Sequence, residues 1–307
     1  MKHALMVSAL LTLGCSPISP LAAAPQPAAI SVGEVRMDHI SIVEMGAGDP
    51  VILIPGLSTP RGVWEGVAAE LAKSHRVLLV QVNGFGGDDP GGNLREGILE
   101  GAVSDIVAFM RQKKIEKPAV IGHSMGGVLS LMIASRHKDA LGRVMVVDAL
   151  PYLGVQLAPP GTDITVAQVM PTARQMRDTV AAAYGMVPDA EAAAQNVKGM
   201  AIKETSRKKM QAWAMAADAR VAGQVVFEIL TTDLRPEMIE INAPVTVIYP
   251  WSSQGLPKER LDAFYRRQFA EVGQTQYVAL PDAGHFVMLD QPELFQEQVM
   301  QFLDRRH

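Results

Sequence analysis

The sequence predicts an α/β fold: a mostly parallel, doubly wound sheet with a helical cap inserted between two of its strands. Three observations predict it. Short unbroken runs of Val, Ile and Leu recur along the chain, such as "VILI" at 51–54 and "VMVV" at 144–147. A strand without polar alternation is one covered on both faces. Segments with helical spacing separate these runs, and strand and helix in turn imply parallel strands joined by right-handed crossovers. One stretch, residues 152–235, breaks the rhythm and offers helical pieces only.

The elements follow in order. The first 24 residues have Lys2, an apolar run from Ala4 to Leu13, and then small residues and prolines. That is the layout of a secretory signal peptide, too short in its apolar part to span a bilayer. It predicts a periplasmic or secreted protein, with 25–32 as a disordered linker. Cys15, the single cysteine, lies in this segment. Leu13-Gly14-Cys15 half-resembles a lipoprotein cleavage box, but Thr12 stands where that box usually has Leu, so a lipid anchor at Cys15 is the lesser alternative. Residues 33–151 and 236–307 are expected to form the core, and 152–235 the cap. Val35–Glu44 alternates like a strand or hairpin; 50–58, 75–87, 119–123, 142–151, 243–251 and 274–285 read as further strands; 96–114, 257–272 and 291–306 read as helices.

Composition narrows the function. The 307 residues are 48% hydrophobic and 20% charged with a net charge of -4, enough apolar material for a substantial core. No basic stripe with interleaved aromatics appears, which argues against a nucleic-acid partner. "QVNGFGGDDPGGN" lacks the Lys-Ser/Thr of a phosphate-binding loop and the dinucleotide glycine spacing. Asp88 and Asp89 lack a calcium-loop pattern and read as a solvated turn. No metal or cofactor is expected.

"AVIGHSMGGVLS" (119–130) carries the chemistry. Gly122-His123-Ser124-Met125-Gly126 fits Gly-x-Ser-x-Gly, with a buried strand before it and helical spacing after it. A strand, a one-residue corner and a helix are the setting of a nucleophile elbow, which holds its serine in a strained conformation. Gly122 and Gly126 suit a close pass of strand and helix. A serine hydroxyl needs a base, and the chain after the leader offers His39, His75, His123, His137, His285 and His307.

Four segments, in order, resemble the α/β-hydrolase fold superfamily from about 33 to 305: Pro55-Gly56-Leu57 with Trp64 following, Gly84-Phe85-Gly86-Gly87, the Gly-His-Ser-Met-Gly-Gly elbow, and Gly284-His285-Phe286 ahead of Asp290-Gln291-Pro292-Glu293. The resemblance implies Ser124 as nucleophile, His285 as base, and the N–H groups of Leu57 and Met125 as the oxyanion hole. It implies a helical cap over the site and no cofactor, and says little about the substrate; a small-molecule ester is expected because an alkoxide leaving group needs the least help. His123 reads as a structural or wall residue, because its side chain leaves the corner on the other side.

The third member departs from the pattern. The superfamily commonly places an Asp after the strand "VTVIY", where this chain has Ser253. Asp148, at the end of the preceding strand, is the best replacement, as in branches of the superfamily that draw their acid from that strand end. Glu259, Asp233, Asp282 or no conventional acid are the alternatives. A serine rather than an aspartate at the elbow argues against haloalkane dehalogenase or epoxide hydrolase chemistry. Proline-iminopeptidase-like amide hydrolysis, C–C hydrolysis, cofactor-free haloperoxidation and a non-catalytic binding protein stay open. Methionines of the insert, such as Met170, Met176 or Met215, are candidates to line an apolar acyl pocket.

Overall fold

A computed structural model describes residues 32–305 apart from 160–161, 187–190, 192–193, 195–196 and 254. The signal peptide, most of the linker and Cys15 lie outside the described residues. The described residues form an eight-stranded sheet in the order β1-β2-β4-β3-β5-β6-β7-β8. Its strands are β1 (Val32–Arg36), β2 (Ile40–Met45), β3 (Asp49–Ile54), β4 (His75–Val82), β5 (Ala119–His123), β6 (Arg143–Val147), β7 (Val245–Trp251) and β8 (Thr275–Pro281). The pairs β1/β2 and β2/β4 are antiparallel, and every pairing from β4 to β8 is parallel.

The helices of the body are α1 (Glu65–Leu71), α2 (Ile98–Gln112), α3 (Met125–Arg136), then α7 (Lys258–Gln268), α8 (Val287–Asp290) and α9 (Pro292–Asp304), after those of the insert: α4 (Val166–Ala181), α5 (Glu204–Ala216) and α6 (Ala219–Thr231). The apolar runs of the central strands are continuous because helices cover both faces. Along β3, Val51 and Leu53 face one layer with Trp64, Leu71, Phe295 and Val299, while Ile52 and Ile54 face the other with Leu99, Val103 and Leu129. Helix α3 is buried from Met125 to Ser135, so it is a core helix rather than an amphipathic one.

Topology fixes where a ligand can bind. After β3 the chain steps to β4 on one side and returns as β5 on the other, so β3 and β5 flank the point where the strand order reverses. Open parallel sheets bind ligands outside the carboxyl ends of strands at such a point. Leu57 follows β3 there, and Ser124 follows β5.

Between β6 and β7 the described residues are mainly helical, and the two ends of this insert are paired. Tyr152 and Asp233 form an antiparallel bridge, and the Leu234 N–H donates to the Pro151 carbonyl. Helix α4 starts at a capping box, with the Thr165 hydroxyl accepting from the Gln168 N–H and Gln168 reaching back. Helix α6 is the buried member, and its Glu228 accepts from the N–H groups of Gly97, Ile98 and Leu99 at 2.7, 3.1 and 2.8 Å. This carboxylate satisfies donors at the start of α2 and fixes the insert to the body.

Candidate active site

Ser124 stands at the corner between β5 and α3 with φ 53° and ψ -120°. A non-glycine residue holds such a conformation only when its surroundings over-determine it. They do so here. A Cβ on Gly126 would lie 2.2 Å from the Ile54 carbonyl oxygen, and one on Gly122 would lie 2.1 Å from the Gly126 oxygen. The Ser124 N–H donates to the Val147 carbonyl at 2.9 Å, which ties the corner to the end of β6. Met125 is the first residue of α3, so its N–H is one of the donors a helix leaves without an intrahelical acceptor.

The neighbouring strand end has the same character. Asp148 has φ 45°, and its N–H donates to Ile248 at 2.7 Å. Its carboxylate meets two partners. Oδ2 accepts from His285 Nδ1 at 2.6 Å, and Oδ1 accepts from the Tyr265 hydroxyl. A carboxylate only accepts, so Nδ1 carries a hydrogen, and in the neutral imidazole the lone pair is then on Nε2.

The other carboxylates weighed from sequence are elsewhere. Glu259 is exposed on the first turn of α7, and Ser253 is exposed in the loop before it. Asp233 pairs with Arg235 at 2.6 Å. Asp282 is exposed, and its carbonyl accepts from Gln291 at 2.8 Å.

Two residues that the sequence reading did not place beside His285 hold its loop. His123 is fully buried, its Nε2 bonds the His285 carbonyl at 3.0 Å, and its ring contacts those of His285 and Phe286. Burial first, and the adjacent imidazole second, push its pKa well below the usual histidine range, so it stays neutral and Nε2 is the donor. Asp290, also fully buried, accepts from the N–H of Gly284 at 2.9 Å, Ile202 at 2.8 Å and Lys203 at 3.1 Å. It clamps the histidine loop to the chain entering α5. The sequence showed Asp290 only within Asp290-Gln291-Pro292-Glu293, which did not indicate these partners.

Ser124, His285, Asp148, Leu57 and Met125 all line one cavity of about 330 Å³ at the carboxyl edge of the sheet. The rest of its wall is mostly apolar, with Val128, Leu150, Leu153, Met200, Ile229 and Phe286 among the lining residues beside His123, Gln156 and Tyr265. The methionines expected there are replaced by others. Met125 and Met200 line the cavity, whereas Met176 and Met215 are exposed and Met170 is not in the wall. Helices α4 and α5 turn those side chains away, and a loop of the insert supplies the contact instead. Among the described residues no group of three or more His, Cys, Asp or Glu is placed to hold a metal ion. Asp88 accepts from Gln81, and Asp89 accepts from the Gly91 N–H within its own turn.

A model of the alpha/beta hydrolase family matches residues 51–298. Over 270 residues the chain is 23% identical to the pimeloyl-[acyl-carrier protein] methyl ester esterase of Aeromonas hydrophila, covering 86% of this chain and 99% of that one. Among solved structures it is similar to a thermophilic esterase from Thermogutta terrifontis (TM-score 0.71, 21% identity, 89% of this chain and 98% of that one). It is also similar to the enol-lactonase of Burkholderia xenovorans LB400 (TM-score 0.67, 21% identity, 91% and 100% covered). At these identities the two structures speak to fold alone.

Proposed function

Because the chain belongs to the alpha/beta hydrolase family, we propose that it is a serine hydrolase cleaving a carboxylic ester through an acyl-enzyme. One observation carries this reading: a strained elbow serine and a histidine backed by a carboxylate line the same cavity. Ser124 Oγ attacks the ester carbon as its proton passes to His285 Nε2. The imidazolium that forms is held by Asp148, which also fixes the tautomer. The developing oxyanion meets the N–H groups of Leu57 and Met125, and loss of one such donor typically costs about 3–4 kcal/mol of transition-state stabilisation. His285 then protonates the leaving alkoxide, and water, deprotonated by the same nitrogen, clears the acyl group.

The cavity wall supports an uncharged, apolar acyl group. Among the described residues, none lining it is Lys or Arg. Asp148 is the only described lining carboxylate, and it is engaged on both oxygens. A free amine of the kind an iminopeptidase grips therefore meets no unengaged carboxylate among them. Methyl-ester hydrolysis is what the Aeromonas relative's name states of that protein, and it agrees with an ester here.

A fluorophosphonate probe and a series of p-nitrophenyl esters test the reading. Wild type is expected to label and to turn over short neutral esters, and Ser124→Ala is expected to lose labelling and about 10,000-fold or more in kcat. Equal labelling of the two proteins, or none in wild type, would instead favour a binding protein. Export directed by residues 1–24 belongs to the same proposal, and sequencing the mature N-terminus checks it: an intact Met1 would overturn it.

A further inference from the structure

Helix α7 begins just after the loop where the superfamily usually keeps its acid, and this chain has Ser253 in that loop. The helix instead sends a phenol to the acid that the neighbouring strand supplies. Tyr265 is buried, lines the cavity, and donates its hydroxyl to Asp148 Oδ1 while His285 Nδ1 occupies Oδ2 at 2.6 Å. Its ring stacks on Tyr249 with centroids 4.1 Å apart and planes 13° apart. Tyr249 is anchored in turn by Asp262 at 2.6 Å, which Lys258 also holds at 2.6 Å.

We infer that Tyr265 is a positioning residue for the hydrolytic reaction: it locks the Asp148 carboxylate with one oxygen toward His285 and sets how strongly that carboxylate stabilises the imidazolium. The inference rests on the serine-hydrolase reading and deepens it. Asp148 leaves the strand end at a left-handed residue, and a short side chain bonded at one oxygen alone could turn about its last torsion. The phenol removes that freedom. Burial, and then the charge of Asp148, keep the phenol protonated well above its usual range, so it remains a donor across the working pH. Donation to Oδ1 withdraws negative charge from the carboxylate. The carboxylate therefore stabilises the imidazolium of His285 less than one free at that oxygen would. The other groups facing this cluster are His123, buried and neutral against the His285 ring, and Tyr249 behind Tyr265. Asp262 and Lys258 lie beyond Tyr249 and offset one another.

The test compares full-length wild type, Tyr265→Phe and Tyr249→Phe. Both variants keep the ring stack, and each loses one hydroxyl. Two quantities are read: the acid limb of kcat/KM against pH on a p-nitrophenyl ester, and the titration of the His285 imidazole by NMR. Tyr265→Phe is expected to lower kcat about tenfold with little change in KM, the scale of one hydrogen bond to a charged group. It is also expected to move both the acid limb and the His285 titration to higher pH by about half a unit to one unit. Tyr249→Phe is expected to leave both at the wild-type position. A His285 titration unchanged in Tyr265→Phe, or shifted equally in both variants, would overturn the inference. The NMR titration reads this even in a protein that turns over no ester, whereas Ser124-dependent labelling reads the hydrolase proposal by itself.

Discussion

Ser124 and His285 reach the same cavity but are held there by different means. The serine is held by backbone. Its left-handed φ, the approach of Gly126 to the Ile54 carbonyl, and the N–H bond to Val147 leave the corner one conformation. The histidine is held by side chains: Asp148 on its ring and His123 on its carbonyl, both from far along the chain, and the nearby Asp290 on the N–H before it. Backbone positioning cannot be tuned in small steps, because a single Cβ in the wrong place destroys the corner. Side-chain positioning can be graded, since each bond is removable with the loop still in place. The serine is thus fixed by sterics and the histidine is adjustable by chemistry.

Substitutions can break or sharpen this contrast. Among substitutions that leave Ser124 in place, the largest effect is expected at Asp148. Asp148→Asn keeps the size of the side chain but can favour the wrong imidazole tautomer, and kcat should fall roughly 1,000- to 10,000-fold with the fold intact by circular dichroism. On the serine side, Gly126→Ala should act on folding and activity together. Its Cβ meets backbone oxygen rather than a flexible tip, so thermal unfolding should report a loss of about 3 kcal/mol. A variant that kept wild-type stability would show that the corner is softer than its contacts indicate.

His123 gives a pH-dependent case. Its folded pKa is depressed, so below about pH 6.5 the unfolded chain takes up a proton that the folded chain refuses, and stability falls as pH drops. The slope from this group cannot exceed about 1.4 kcal/mol per pH unit. Denaturant titrations between pH 7.5 and 5 should show a shallower slope for His123→Asn, with a remainder from His137, which partial burial shifts in the same direction. An identical slope in both proteins would place the acid sensitivity elsewhere. The smallest effect is expected from Glu259→Gln, which should leave kcat/KM within about twofold, because that side chain is exposed on α7 and has no bond to His285.

The same contrast explains what could be read from the chain beforehand. The elbow was legible because its geometry demands glycine at fixed distances from the serine, and spacing is what a sequence displays. The alternation of strands and helices was legible for the same reason. Asp148 was reached by a less direct route, from the missing carboxylate at Ser253 and the strand end beside it. Tyr265 left no such trace, and Asp290 showed only as part of the segment after His285, with no partner indicated. A tyrosine within "RLDAFYRRQF" looks like one more residue on the buried face of a helix. An aspartate before Gln291-Pro292 looks like a local cap. What each one bonds depends on how α7 and the insert come to rest on the sheet edge. The methionines of the insert were misjudged for that reason too: composition showed them, but not which way α4 and α5 would turn.

Asp290 also constrains how anything enters. Gln156 and Gly199, both exposed, border the cavity. Lifting the chain at Ile202 and Lys203 away from the sheet would forfeit two of the three donors of a fully buried carboxylate, and would loosen Gly284 beside the base. That end of the insert is therefore a fixed heel rather than a swinging door.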